Sequence, residues 1–334
     1  MESTDTSPWV RSHRTAVRVQ GATAPYDTLH LTIRYPALAA RDDVERMSGA
    51  LALDPAGAPY PVVIVLPGIN VASAGYLELA TALAGAGLVC VTFDWVGELF
   101  PGQYGLTPGV DIEAVTPQAY GARPTTPALA VVLDALTEQQ AEGPLAGALA
   151  LDRIGVFGHS AGGTVALQSA APAWFPQVRA VATYGSHTLA SQQLGFAPNT
   201  LLASPAKVPV MLVAGSQDGV VAASAIRYGE QAGAVGHDPV RRTFEEALAD
   251  APEAWLVQLA GAGHLLPCDV EDPTSARGFL ESPPDGDQAQ LRALLARTLI
   301  RFFAAWLKDD RAAHHELEGW LAAPRPEIAD IRRR

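Results

Sequence analysis

One hexapeptide restricts this chain more than its length or composition does. Residues 158–163 read Gly158-His159-Ser160-Ala161-Gly162-Gly163. Directly before it runs Arg153-Ile154-Gly155-Val156-Phe157, an apolar stretch suited to a buried strand; directly after it comes Thr164-Val165-Ala166-Leu167-Gln168-Ser169-Ala170-Ala171, which permits a helix. A G-x-S-x-G motif between strand and helix demands a sharp turn, with glycines flanking the serine because side chains there would collide. The serine hydroxyl then stands at a helix N-terminus, where backbone N–H groups favour negative charge on a developing oxyanion. The competing reading is a glycine-rich turn with an incidental serine; the strand before and the helix after weigh against it.

The rest of the chain repeats the strand-helix rhythm. Two alternating segments, Thr15–Val19 and Leu29–Tyr35, read as antiparallel strands at a sheet edge. Apolar runs at 61–66, 88–93, 153–157, 178–184, 208–214 and 254–259 read as buried strands. Helical patterns fall at 74–86, 128–141, after Ser160, near 222–233, at 287–307 and in a shorter segment ending near 322. Continuous apolar strands alternating with helices predict an α/β fold: a mostly parallel twisted sheet covered by helices on both faces, with an antiparallel N-terminal edge. At 334 residues and 49% hydrophobic, the chain can bury one large core with room for insertions.

The expected organisation is a loose N-terminus over 1–14, a single domain over 15–322 with a connector at 37–59, and a tail over 323–334. That tail ends in Arg332-Arg333-Arg334, read as a frayed end. Two stretches interrupt the rhythm, 95–127 and 186–206. Both follow strands at the edge where open α/β sheets bind ligands, so they read as a substrate rim or partial lid, or as plain surface loops. Aromatic side chains in or near them, Trp95, Phe100, Tyr104 and Trp174, are candidates for an apolar substrate pocket or for packing.

Charge and cysteine content exclude several functions. A net charge of −12 argues against nucleic acid and anionic membranes as partners. No uninterrupted apolar run is long enough to span a membrane. The first residues lack the basic region and apolar core of a secretory leader, so the chain reads as cytoplasmic. Cys90 and Cys268 form neither a disulfide framework nor a metal cluster, and there is no H-E-x-x-H motif or P-loop. No metal and no cofactor are expected. The apolar C-terminal helices offer an interface for a homodimer.

A serine hydroxyl is a weak nucleophile near neutral pH; it needs a base within hydrogen-bond reach and an acid to orient that base. Loops after later strands supply both. Gly215-Ser216-Gln217-Asp218-Gly219 follows the strand at 208–214, and Ala260-Gly261-Ala262-Gly263-His264 follows the one at 254–259. Asp94, after the strand at 88–93, competes as the acid, but Asp218 lies between Ser160 and His264. The loop Tyr184-Gly185-Ser186-His187 offers no acid, and its His187 reads as a rim residue rather than the base. His159 is expected to point away from the chemistry, and His237, His314 and His315 to lie at the surface.

The order Ser160, Asp218, His264, with the elbow around Ser160, resembles the α/β-hydrolase superfamily from about Pro61 to Trp306. The two N-terminal strands and Ile33-Arg34-Tyr35-Pro36 resemble its dienelactone hydrolase, platelet-activating-factor acetylhydrolase, cutinase-type polyesterase and chlorophyllase-like branch. The resemblance implies a cofactor-independent serine esterase acting on a small-molecule ester through an acyl-enzyme. It also implies that the backbone N–H groups of Ala161 and of Ile69, in Leu66-Pro67-Gly68-Ile69-Asn70, hold the oxyanion. A thioesterase or acyltransferase with the same triad, and a non-catalytic binding protein on the same fold, remain alternatives.

Overall fold

In the computed structural model, the described residues are 9–48, 52–100, 102–229, 237–269, 283–308 and 310–334. Chain order begins with β1 (Trp9–Arg18), β2 (Thr28–Ala37), α1 (Asp43–Ser48), β3 (Tyr60–Leu66), α2 (Leu77–Gly85), β4 (Val89–Phe100) and β5 (Gln103–Leu106). It continues with α3 (Ala128–Ala141), β6 (Leu149–His159), α4 (Ala161–Ser169), β7 (Val178–Tyr184), β8 (Val210–Gly215), α5 (Gly219–Ala223) and α6 (Pro239–Arg242). It ends with β9 (Ala254–Leu259), α7 (Gln288–Leu307), α8 (Arg311–Ala322) and β10 (Ile328–Arg333).

One sheet runs in the order β1-β2-β4-β3-β6-β7-β8-β9-β10, with β5 paired to β4 alone. The strands from β4 through β9 on that path are mutually parallel, and β1, β2 and β10 are antiparallel to their neighbours. The expected α/β architecture with an antiparallel N-terminal edge is therefore present.

The alternation of β3 shows why its sequence is a continuous apolar run. Val62, Ile64 and Leu66 face a core shared with α3 and α4, where Leu129, Val132, Leu136 and Val165 are buried. Val63 and Val65 face the opposite core, formed with α2 and α7 by Leu79, Leu83, Leu299, Phe302 and Phe303. A strand buried on both faces has no position for a polar side chain, and each fully buried aliphatic residue contributes about 1.5–3 kcal/mol.

Two expectations at the margins are corrected. Residues 9–14 are not loose: they belong to β1, whose register runs from Trp9 opposite Ala37 to Arg18 opposite Thr28. The C-terminus is not frayed. β10 pairs with β9, and Arg334 exchanges both backbone hydrogen bonds with Ala254 at 3.0 Å. Without β10, the outer N–H and C=O groups of β9 would have no ladder partner. The arginine side chains also have local partners, Arg332 with Glu245 and Arg333 with Glu253, each at 2.8 Å.

The stretch 95–127 is not one loop either. β4 continues past the sheet to residue 100 and pairs back with β5 as a two-stranded ribbon, Val96 opposite Leu106. The helix expected near 222–233 is broken into α5 and a 3-10 turn at Ser224–Tyr228, closed by Gly229; residues 230–233 lie outside the described residues. The remainder of 95–127 packs against 186–206. Val115, Ala190 and Leu202 are buried together with Tyr120 and Phe196 against them, and Tyr120 Oη donates to Ala203 O at 2.6 Å. The two interruptions thus form one satellite layer, anchored by buried Ser169 Oγ, which accepts the Thr125 and Thr126 N–H groups at 3.0 and 3.2 Å.

Candidate active site

Ser160 sits between β6 and α4 with φ 54° and ψ −124°. Residues other than glycine rarely adopt such a backbone, and holding one there costs about 1–3 kcal/mol. The neighbouring glycines explain how the turn closes. A Cβ on Gly158 would lie 2.3 Å from Gly163 Cα, and one on Gly162 would lie 2.1 Å from Leu66 O. The Ser160 N–H donates to Tyr184 O at 2.9 Å, and Ser186 Oγ donates to Ser160 O at 2.9 Å, so the turn is pinned to the end of β7.

The loops after β8 and β9 are laced together below the side chains they carry. Gln217 N–H donates to Ala262 O and Ser216 N–H to Leu259 O, both at 2.9 Å, and Tyr184 Oη donates to Gly263 O at 2.6 Å. On this base His264 Nδ1 lies 2.8 Å from Asp218 Oδ2, with both side chains buried. The other carboxylate oxygen, Asp218 Oδ1, accepts from Val221 N–H at 2.8 Å and caps α5. A carboxylate accepts only, so the hydrogen-bond network assigns the proton to His264 Nδ1 and a lone pair to Nε2. That Nε2 is buried and has no hydrogen-bond partner. Asp94, the competing acid, is engaged elsewhere: it accepts from the backbone and the hydroxyl of Ser73 at 2.7 and 2.5 Å.

Ala161 begins α4, and Ile69 lies in the turn after β3. Gly68 O accepts from Val71 N–H at 3.2 Å, while Gly163 and Thr164 N–H groups reach Ser160 O at 3.0 and 3.1 Å. The N–H groups of Ile69 and Ala161 take no part in these bonds. The contact between Gly162 and the end of β3 brings the two turns side by side.

The side chain of His159 does not point away, as expected from sequence. It is fully buried, with Nδ1 2.9 Å from Tyr76 Oη and Nε2 2.9 Å from His264 O. Because a backbone carbonyl only accepts, Nε2 carries the proton and Nδ1 accepts from the Tyr76 hydroxyl. Tyr76 Oη in turn accepts from Gly68 N–H at 2.9 Å. Burial raises the Tyr76 pKa well above its usual range, keeping it a neutral phenol. One chain of hydrogen bonds therefore ties the Gly68-Ile69 turn to the His264 loop. Tyr76 gave no signal in the sequence, since a tyrosine at a helix start reads as packing.

His187 is buried rather than at the rim. Its ring meets Tyr228 edge-on at 4.9 Å, and its Nδ1 has no hydrogen-bond partner. Burial, reinforced by nearby His237 and His264, lowers its pKa to about 3, so it is neutral at pH 7. His237 is half-buried rather than on the surface.

The aromatic candidates separate. Trp95 is half-buried and donates from Nε1 to Tyr26 O at 2.9 Å; Tyr104 stacks on Tyr26 with ring centroids 4.0 Å apart. Phe100 ends β4 opposite Gln103, and its side chain lies outside the described residues. Trp174 is not at the site. It follows the nine-residue α4, which carries the chain about 14 Å from Ser160 toward the opposite sheet edge, and it packs on the core there. Among the described residues, no group of three or more His, Cys, Asp or Glu side chains is placed to hold a metal ion. No helix among them is long and apolar enough to cross a membrane.

No curated protein matches the chain. A family model described as the alpha/beta hydrolase family matches residues 63–332, which span β3 through β10. With that match over most of its length, and with a parallel sheet whose strand ends present Ser160, Asp218 and His264, the chain belongs to the alpha/beta hydrolase family.

Proposed function

We propose that the protein is a serine carboxylic-ester hydrolase that needs no cofactor. Ser160 Oγ attacks the ester carbonyl while His264 Nε2 takes its proton. Asp218 keeps the imidazole in the required tautomer and stabilises the imidazolium. The N–H groups of Ala161 and Ile69 receive the oxyanion of the tetrahedral intermediate. Collapse expels the alcohol with the proton from His264 and leaves Ser160 acylated. Water, deprotonated by His264, then attacks the acyl-enzyme; its collapse frees the acid and restores the serine.

The observation that carries this reading is the buried His264–Asp218 pair with its Nε2 lone pair unengaged; Ser160, in its strained turn, follows β6 at the same edge of the sheet. An unpaired polar atom at such a depth costs stability, about 1–3 kcal/mol, and a base that is to take the proton of the attacking serine accounts for it.

The test is turnover of p-nitrophenyl esters from acetate to palmitate by the wild-type chain and by Ser160→Ala. The variant is expected to keep the fold and lose several powers of ten in kcat. Residual turnover within about tenfold of wild type would sink the assignment. A peak at short acyl chains indicates a restricted pocket, and activity that persists to long chains an open apolar cleft.

A further inference from the structure

The turn that carries the Ile69 N–H is braced by the β4–β5 ribbon. Gly68 O accepts from Val71 N–H, so residues 68–71 form a β-turn, and Asn70 in its third position has φ 60°. Among the described non-glycine residues only Asn70, Ser160 and Asn199 have positive φ, so Ile69 does not. Negative φ at the second position and positive φ at the third mark a type II turn, whose central peptide is flipped relative to type I. The N–H of that central peptide, Asn70 N–H, donates to Leu106 O of β5 at 2.9 Å. In a type I turn the Ile69 carbonyl would face Leu106 O instead, acceptor against acceptor. The contact is close: a Cβ on Gly105 would lie 2.2 Å from Asn70 Oδ1. The ribbon is itself fixed from outside, since Tyr104 stacks on Tyr26 and Trp95 Nε1 donates to Tyr26 O.

We propose that the β4–β5 ribbon holds this turn in its type II form, with Asn70 as a positioning residue that keeps the Ile69 N–H aimed at the oxyanion. The inference rests on the esterase reading above. Ile69 N–H belongs to the peptide whose carbonyl closes the turn, so a turn that opens and loses the bond from Val71 N–H to Gly68 O misdirects the donor. Asparagine suits the position because it tolerates a left-handed backbone, and glycine tolerates it too, whereas a β-branched residue does not. Misaiming one donor weakens only interactions made in the transition state, so it appears in kcat and leaves KM in place.

The experiment compares Asn70→Val with Asn70→Gly in the full chain. Asn70→Val is expected to lower kcat by about tenfold or more with KM within about twofold, while Asn70→Gly stays within about threefold of wild type in both. The affinity of an alkyl boronic acid, whose adduct with Ser160 mimics the tetrahedral anion, is expected to fall in step with kcat. Wild-type kcat in Asn70→Val, or an equal loss in Asn70→Gly, overturns the proposal. Hydrogen exchange at the residue 70 amide reads the turn without any substrate. Protection in wild type and Asn70→Gly, lost in Asn70→Val, supports the brace even if the chain hydrolyses no ester, and an unprotected wild-type amide overturns the brace even if it does.

Discussion

Asp218 divides its two oxygens between two tasks. One orients His264, and the other closes the first turn of α5 by accepting from Val221 N–H. The same residue therefore secures the His264 ring and the start of the following helix, and its position is set from both sides. His187 behaves differently, because its burial is reinforced by His237 and His264 rather than offset. Its pKa falls from 6.5 to about 3 in the folded chain. Between those values the unfolded chain binds a proton that the folded chain does not, so stability rises with pH across that window and is lost as pH falls through it. Urea unfolding at pH 7.5 and 4.5 checks this. The wild-type midpoint should drop more between the two than that of His187→Leu. Equal drops in both would show that the imidazole, with Tyr228, His237 and His264 around it, does not resist protonation.

At the scale of elements, one buried hydroxyl anchors the 107–127 part of the satellite layer. Ser169 ends α4, is fully buried, and receives the backbone N–H groups of Thr125 and Thr126, with the Thr125 hydroxyl 3.1 Å away. Replacing it by alanine leaves two buried donors unsatisfied, at about 1–3 kcal/mol each before relaxation. We expect Ser169→Ala to lower the thermal midpoint and to raise proteolysis within 107–127 ahead of the rest of the chain. Unchanged proteolysis there would mean that the layer is held chiefly by its apolar contacts around Val115, Ala190 and Leu202. The β4–β5 ribbon is the other element that leaves the sheet, and Leu106 O links it to Asn70 in the turn after β3.

The whole molecule is one sheet with a core on each face, edged on both sides by antiparallel strands. β10 completes the far edge and covers part of the core beneath it, where Ile328 and Ile331 pack. Truncation after Ala323 removes the ladder to β9 and the Arg332 and Arg333 ion pairs. These exposed pairs each contribute little, so the loss should come from the ladder and the apolar contacts. The truncated chain is expected to melt lower and to associate through the uncovered edge, as sedimentation velocity would show. A monomer with the wild-type melting temperature would make β10 dispensable.

Much of this was legible from the chain alone. Ser160, Asp218 and His264 stand in the order that their fold requires. The glycines around Ser160 can be read because a sharp turn limits its own neighbours and nothing distant. The parallel strands β3, β4, β6, β7, β8 and β9 could be read because burial on both faces leaves an unbroken apolar run, whereas the more exposed β5 could not. Tyr76, Asn70 and Trp174 were misjudged or missed for a common reason: each is placed by a group far away in sequence. Tyr76 acts through His159, Asn70 through Leu106, and Trp174 is removed from the site by the direction of α4. The basic C-terminus looked frayed because its charges hide a strand that exists only where β9 offers an edge. The chain by itself thus determined the motif, the alternation and the order of Ser160, Asp218 and His264, which are local or ordinal. Tertiary structure decided which distant groups the turn after β3 bonds to and how the edges are closed, because those depend on hydrogen bonds that no short segment can make alone.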